Sequence, residues 1–255
     1  MSERTVGLIM TTPVKSMAIH FPEEVELTST GVPDDRRFFL IDDRDRLFVG
    51  RRHGRLVQIR ARLVGEELTL EFPDGTVVRG EPELGDPTST DFYELRMVDG
   101  REVRGAFSEA LSDFTGSKVR LIKAAEPIAY DAEPATLLSR ASIDRLGREM
   151  GTDLDPRRFR MLFTLNGCEE HEEDSWSKVR VGDALLEVGS AIGKLTPRCA
   201  VVTQDPDTGA RSGDTLKAIK GYRGLSEGDR WIVFGVYASV LEPGRVRLGD
   251  PVEPV

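Results

Sequence analysis

Along much of the chain apolar residues recur at every second position, the spacing of strands with at least one covered face. In Phe38-Phe39-Leu40-Ile41 both faces are apolar: Phe38 and Leu40 point one way, Phe39 and Ile41 the other. Leu56-Val57-Gln58-Ile59 reads as a further strand. Leu68-Thr69-Leu70-Glu71-Phe72 leads through Pro73-Asp74-Gly75 into Thr76-Val77-Val78. An Asp-Gly pair between two such runs predicts a hairpin, because both residues tolerate positive φ. Asp99-Gly100, after Tyr93, Leu95 and Met97, predicts a second one. Strands are also predicted over 119–122, 160–165, 179–188, 199–203, 231–240 and 245–248.

Two stretches carry helical spacing instead. Phe107, Leu111 and Phe114 predict a helix near 104–115, closed by Gly116. Ile143, Leu146 and Met150 predict another, with Ser139 or Ser142 as N-cap and Gly151 as the stop. The polar, proline-containing stretch 124–134 is the expected boundary between a domain over 1–123 and one over 124–255. Many short strands with close turn signals make the expected class mainly β with a few helices, built as barrels or sandwiches.

The chain has 255 residues, enough for a core that needs no disulfides. Its net charge of −9 disfavours non-specific nucleic-acid binding and docking to an anionic membrane. Cys168 and Cys199 are the only cysteines, with no CxxC pair, so thiol chemistry rests on single residues. The first residues have no signal-peptide core, and no run approaches the roughly 18 apolar residues of a membrane span. A cytoplasmic location is the expectation.

Cys199 follows Arg198 and precedes an Asp205-Pro206-Asp207-Thr208-Gly209 turn. A neighbouring cation favours a thiolate, the form that ligates metal or attacks. From the residues alone, a buried inert thiol is the favoured reading. Cys168, between Asn166-Gly167 and the acidic run 169–174, reads as an unreactive loop thiol whose neighbours raise its pKa. That acidic run reads as a solvated loop. Lys15-Ser16 offers a cation beside a hydroxyl, as a phosphate site needs. Arg36, Arg37, Arg51, Arg52 and Arg55 are either a basic pocket inside an acidic shell or exposed strand positions. Arg157, Arg158 and Arg160 either suit phosphate and pterin carbonyls or pair with Asp153 and Asp155. His20, His53 and His171 share no metal-ligand spacing, and no GxSxG, Walker or GxGxxG loop occurs.

In their order these segments resemble the MOSC superfamily with its MOSC N-terminal β-barrel domain, and within it the mitochondrial amidoxime-reducing component family. The resemblance covers nearly the whole chain. It runs through Thr12-Pro13-Val14-Lys15-Ser16, Asp35-Arg36-Arg37-Phe38, the stretch from Arg51 to Ile59 with Gly54 where the family has proline, Leu138-Ser139-Arg140-Ala141-Ser142, Glu173-Asp174-Ser175-Trp176, Arg198-Cys199 and the Asp205–Gly209 turn. It implies an N-terminal β-barrel-like domain followed by a MOSC barrel. It implies a molybdenum cofactor ligated by Cys199 and held by Lys15, Ser16, Arg37, Asp131, Arg160 and Arg198. The family is also associated with pyridoxal phosphate binding. Where the family pattern reads Arg-Pro-Asn, this chain reads Arg160-Met161-Leu162. Leu162 offers no side-chain hydrogen bond to a pterin.

The resemblance further implies reduction of N-hydroxylated small molecules by a molybdenum oxidoreductase. The alternatives are a non-redox carrier of the cofactor or of sulfur as a persulfide on Cys199, and a barrel that binds a small anion without chemistry. Because the chain has no haem, flavin or iron–sulfur motif, electrons are expected from a separate protein of ferredoxin, flavin or cytochrome b5 type. Incubating the purified chain with NADH and an amidoxime should therefore give no product. Turnover without an added donor would contradict that expectation.

Overall fold

The structure is a computed structural model that describes residues 3–126, 129–190, 193–226 and 230–255. Among the described residues it is mostly strand with three α-helices, and its largest sheet is barrel-shaped and nearly closed. That sheet runs in the order Thr5–Ile9, Phe163–Asn166, Ala135–Ser139, Val233–Glu242, Ala184–Val188, Lys178–Val181, Val252–Pro254, with Leu195–Pro197 also paired to Val233–Glu242. The last strand is tied back to the first by Val6 N–H to Asp250 O at 2.9 Å and Val252 N–H to Arg4 O at 2.9 Å. Closure leaves few unpaired edges, and the interior fills with Phe163, Leu165, Trp176, Leu186 and Val236. No helix among the described residues is long and apolar enough to cross a membrane.

The other half is a five-stranded sheet ordered Leu47–Phe48, Phe38–Asp42, Val119–Ala124, Arg96–Val103, Leu84–Phe92, beside a three-stranded sheet of Arg60–Val64, Glu67–Glu71 and Val77–Gly80. Phe38 and Leu40 enter one core cluster and Phe39 and Ile41 another, as the two-sided apolar pattern predicts. The Asp74-Gly75 hairpin forms, with Gly75 at φ 88. The halves do not separate at one point in the sequence. Thr5–Ile9 pairs within the C-terminal sheet, and Glu24–Leu27 pairs with Gly244–Arg247.

The three helices are α1 (Ala106–Thr115), α2 (Arg140–Met150) and α3 (Thr215–Arg223). Ser139 caps α2 by accepting from Ser142 N–H at 3.2 Å, and Gly116 and Gly151 close α1 and α2 in the left-handed conformation. Helix α3 was not anticipated. Its apolar residues Leu216, Ile219 and Tyr222 lie three apart, but Lys217, Lys220 and Arg223 beside them dilute the signal.

Three strand expectations are corrected. Asp99-Gly100 is not a turn but lies inside Arg96–Val103; the chain reverses at Tyr93-Glu94-Leu95, between the paired Phe92 and Arg96. Gly100 is needed for close packing: an added Cβ would sit 2.6 Å from Ile122 Cγ2 and 2.7 Å from Lys123 O. The run 56–59 is a 3-10 turn over Gly54–Gln58 that buries Leu56 and Val57 together, a choice that a four-residue apolar run leaves undecided. The run 199–203 is also a 3-10 turn, Ala200–Thr203, with Cys199 at its N-cap.

The halves meet closely where Gly54 faces Gly209. A Cβ on Gly209, whose φ is 71, would lie 2.0 Å from Gly54 O, and Gln204 Nε2 donates to Gly50 O at 2.9 Å beside it. Gly209→Ala should therefore lower the unfolding free energy by about 1–3 kcal/mol in urea titrations. Gly221→Ala, on α3 where an added Cβ meets nothing within 4 Å, should be neutral or stabilising. Equal effects of the two would remove the proposed clamp.

Candidate functional site

A cleft of about 120 Å³ lies between the halves, and Lys15, Ser16, Asp131, Arg160, Arg198 and Cys199 all line it. Cys199 is solvent-exposed at its rim, so its sulfur is open to a ligand rather than sealed in the core. Lys15 is buried, with its ammonium donating to Ala129 O at 2.9 Å and paired with Asp131. Desolvation lowers the Lys15 pKa, and Asp131 opposes it. Burial alone would raise the Asp131 carboxyl, but Lys15, Arg36 and Arg198 outweigh it and hold the group below the usual carboxylate range. Ser16 accepts from Gly50 N–H at 3.0 Å.

Arg160 donates to Met17 O at 2.8 Å, and burial, followed by repulsion from Arg36, pushes its pKa down to about 10. Arg198 donates to Phe234 O at 2.8 Å and Phe159 O at 3.0 Å, and burial brings it also to about 10. Arg51 lines the rim with its guanidinium 5.3 Å from the Tyr93 ring. Among the described lining residues, five cations (Lys15, Arg36, Arg51, Arg160, Arg198) meet two carboxylates, Asp131 and Glu133. With Asp35, which pairs with Arg36, the balance is still two positive charges in excess. Such an excess at a desolvated site favours an anion.

Arg37 is not at this cleft. Its neighbour Arg36 lines it instead, at φ 50, donating to Arg160 O at 3.1 Å. The left-handed turn at Arg36 sends successive side chains to different sides. Arg37 then opens the strand, its carbonyl accepting from Ala124 N–H at 3.0 Å. Leu162 is 2% exposed and packs into the barrel core, while its N–H donates to Thr136 Oγ at 2.8 Å. Thr196 lines the cleft with a buried hydroxyl that has no protein partner. An orphaned polar atom and excess positive charge in one cleft fit a polar, anionic ligand such as a pterin phosphate.

Backbone strain concentrates here as well. Of seven non-glycine residues at positive φ among the described residues, Ser16, Arg36, Tyr93 and Arg160 line this cleft. Such conformations cost of order 1–3 kcal/mol each and persist where surrounding structure imposes them, often at functional sites. A larger cleft of about 580 Å³ shares Arg160 and Val201 with this one but contains neither cysteine. The basic cluster divides: Arg157 pairs with Asp155 and Asp207, Arg158 donates to Gln204 O at 2.8 Å, and Arg160 alone reaches the Cys199 cleft.

Cys168 is buried, and burial followed by Glu172 and Glu173 pushes its thiol up to about 12. The acidic run is not wholly solvated. Glu173 is 0% exposed, accepts from Ser139 N–H at 3.1 Å, and is pushed by burial to about 7. Arg223 on α3 pairs with Asp174 and contacts His171, whose pKa falls to about 4, first through burial and then through Arg223. No cluster of three or more acidic, histidine or cysteine residues that could hold a metal occurs among the described residues.

The MOSC domain family model matches residues 113–253, and the MOSC N-terminal beta barrel domain model matches residues 4–116. The chain belongs to the MOSC family. It is 27% identical to human mitochondrial amidoxime-reducing component 1, over 97% of this chain and 82% of that protein. It is likewise 27% identical to rat mitochondrial amidoxime reducing component 2, over the same shares. Among solved structures, the YuaD protein of Bacillus subtilis aligns over 99% of this chain and 95% of its own, with a TM-score of 0.45 and 10% identity. None of these comparisons bears on pyridoxal phosphate, and the two curated relatives are named as mitochondrial proteins.

The buried acid gives a signed pH prediction. The Glu173 pKa is raised on folding from 4.5 to about 7, so its contribution is fully present below pH 4.5 and is lost as pH rises through 7. His171, depressed from 6.5 to about 4, contributes above pH 6.5 and loses that contribution as pH falls through 4. The two trends oppose each other in the native protein. Urea titrations should show Glu173→Gln gaining about 3 kcal/mol on the native protein between pH 4.5 and 8. A pH-independent difference between the two would rule out the buried carboxyl as the cause.

Proposed function

We propose that this chain is a molybdenum-cofactor-dependent oxidoreductase that reduces N-hydroxylated compounds with electrons from a separate donor protein. The observation that carries the reading is an exposed Cys199 on a cleft with excess positive charge around a buried Lys15, in a MOSC chain whose curated relatives are named for reducing amidoximes. In the net reaction the substrate takes up two electrons and two protons, its N–O bond breaks, and water leaves.

When bound, the cofactor supplies the two-electron metal chemistry at its molybdenum. The residues of this chain bind and orient it. Cys199 would provide a sulfur ligand at the rim. Lys15, Arg36, Arg160 and Arg198 would neutralise its phosphate, with stronger pairing in the partly desolvated cleft than in water. Ser16 and Thr196 offer hydroxyls, and Thr196 replaces part of the polarity absent at Leu162. Asp131 opposes the desolvation that lowers the Lys15 pKa and so favours the charged ammonium. The backbone bonds of Arg198 to Phe159 and Phe234 hold the residue before Cys199 in place, which orients the sulfur.

Protein made in a molybdenum-replete host should carry about one molybdenum per chain and reduce an amidoxime with an artificial electron donor. Cys199→Ser should lose most of both. A serine variant with full metal content and activity would remove the thiolate ligand. Metal-loaded wild type without activity would favour the carrier reading.

A further inference from the structure

Tyr93 has no part in the reading above, yet it is the fourth strained residue of the cleft. It sits at the tip of the hairpin joining Leu84–Phe92 to Arg96–Val103, with φ 64, and Glu94 follows at φ 62. Tight hairpin turns with two positive φ angles favour Asn, Asp and Gly. A bulky aromatic there is an outlier, and such outliers point toward function. Two contacts fix the ring: its edge meets Phe92 at 6.2 Å and 71°, and the Arg51 guanidinium stacks 5.3 Å from its centroid. The hydroxyl makes no hydrogen bond to any described residue, although the side chain lines the cleft. Cys199, Asp131 and Tyr237 lie near enough to act on it electrostatically, and burial keeps the phenol protonated. A fixed, neutral O–H donor with no protein hydrogen-bond partner among the described residues thus lines the same cleft as Cys199, contributed by the opposite half of the molecule.

We propose that Tyr93 is a specificity-determining residue of this site, its hydroxyl donating a hydrogen bond to the oxygen of an N-hydroxylated substrate bound beside Cys199. This inference rests on the reductase reading. The oxygen of an N–OH group offers acceptor lone pairs, and negative charge grows on it as the N–O bond breaks. A preorganised donor there stabilises that charge without reorganisation.

The test uses metal-loaded protein and Tyr93→Phe, which keeps the ring, its edge contact and the guanidinium stack. Molybdenum content and melting temperature should match wild type. With benzamidoxime and an artificial donor, kcat/KM should fall at least about tenfold. By calorimetry on the oxidised loaded protein, where no turnover occurs, the benzamidoxime Kd should rise at least about threefold, the loss of one neutral hydrogen bond. Both parameters within twofold of wild type would overturn the proposal, even if Tyr93→Ala were impaired, since the ring alone would then matter. If wild type neither binds nor reduces benzamidoxime, the reductase reading falls and the role of Tyr93 with it. That outcome is distinct from an active wild type with an unchanged Phe variant.

Discussion

Lys15 is driven out of water where the two halves of the molecule join, and it tolerates that position because Asp131 and the Ala129 carbonyl take its hydrogen bonds. Arg160 and Arg198 are half-buried beside it on backbone carbonyls, which accept from their N–H groups without neutralising their charge. Desolvated cations of this kind are costly unless paired or supplied with an anion. The cleft therefore carries a built-in preference for negative charge, which concentrates where Cys199 exposes its sulfur. In an acidic protein of net charge −9 that preference is local.

The fold serves this arrangement by bringing residues distant in sequence to one seam. Lys15, Ser16 and Arg36 come from turns next to the strand Phe38–Asp42, while Arg160 and Cys199 flank short 3-10 turns of the other half. Turns rather than regular strands present these side chains, and several hold left-handed backbone to do so. The Gly54–Gly209 approach closes the seam, since neither position leaves room for a side chain. Rigid sheets on both sides make the strain sustainable, because the local cost is spread over two packed cores.

Behind the cleft, helix α3 and the segment around His171 form a second polar layer. Arg223 ties Asp174 and His171 together, and its guanidinium lies 5.9 Å from the Phe234 ring, whose backbone carbonyl takes two Arg198 N–H groups. A stretch rich in acidic residues thus contributes a buried carboxyl that supports the entry to α2. Local composition describes such a stretch as solvated because it does not register which carboxylate the helices cover.

The strand pattern, the caps and stops of α1 and α2 and the mainly β class were legible in the chain, because they rest on local periodicity, turn chemistry and short ordered segments. Asp99-Gly100 shows the limit: a glycine that permits a turn equally permits the close approach of a neighbouring strand, and only the packing of Ile122 selects between them. Arg36 rather than Arg37 reaches the cleft because a left-handed backbone angle, invisible in the residue types, rotates the chain at that point. Tyr93 carried no local signal, since its place depends on a hairpin tip from one half arriving at a cysteine of the other. Residue chemistry is encoded position by position, whereas which groups share one desolvated space depends on contacts between residues more than a hundred positions apart.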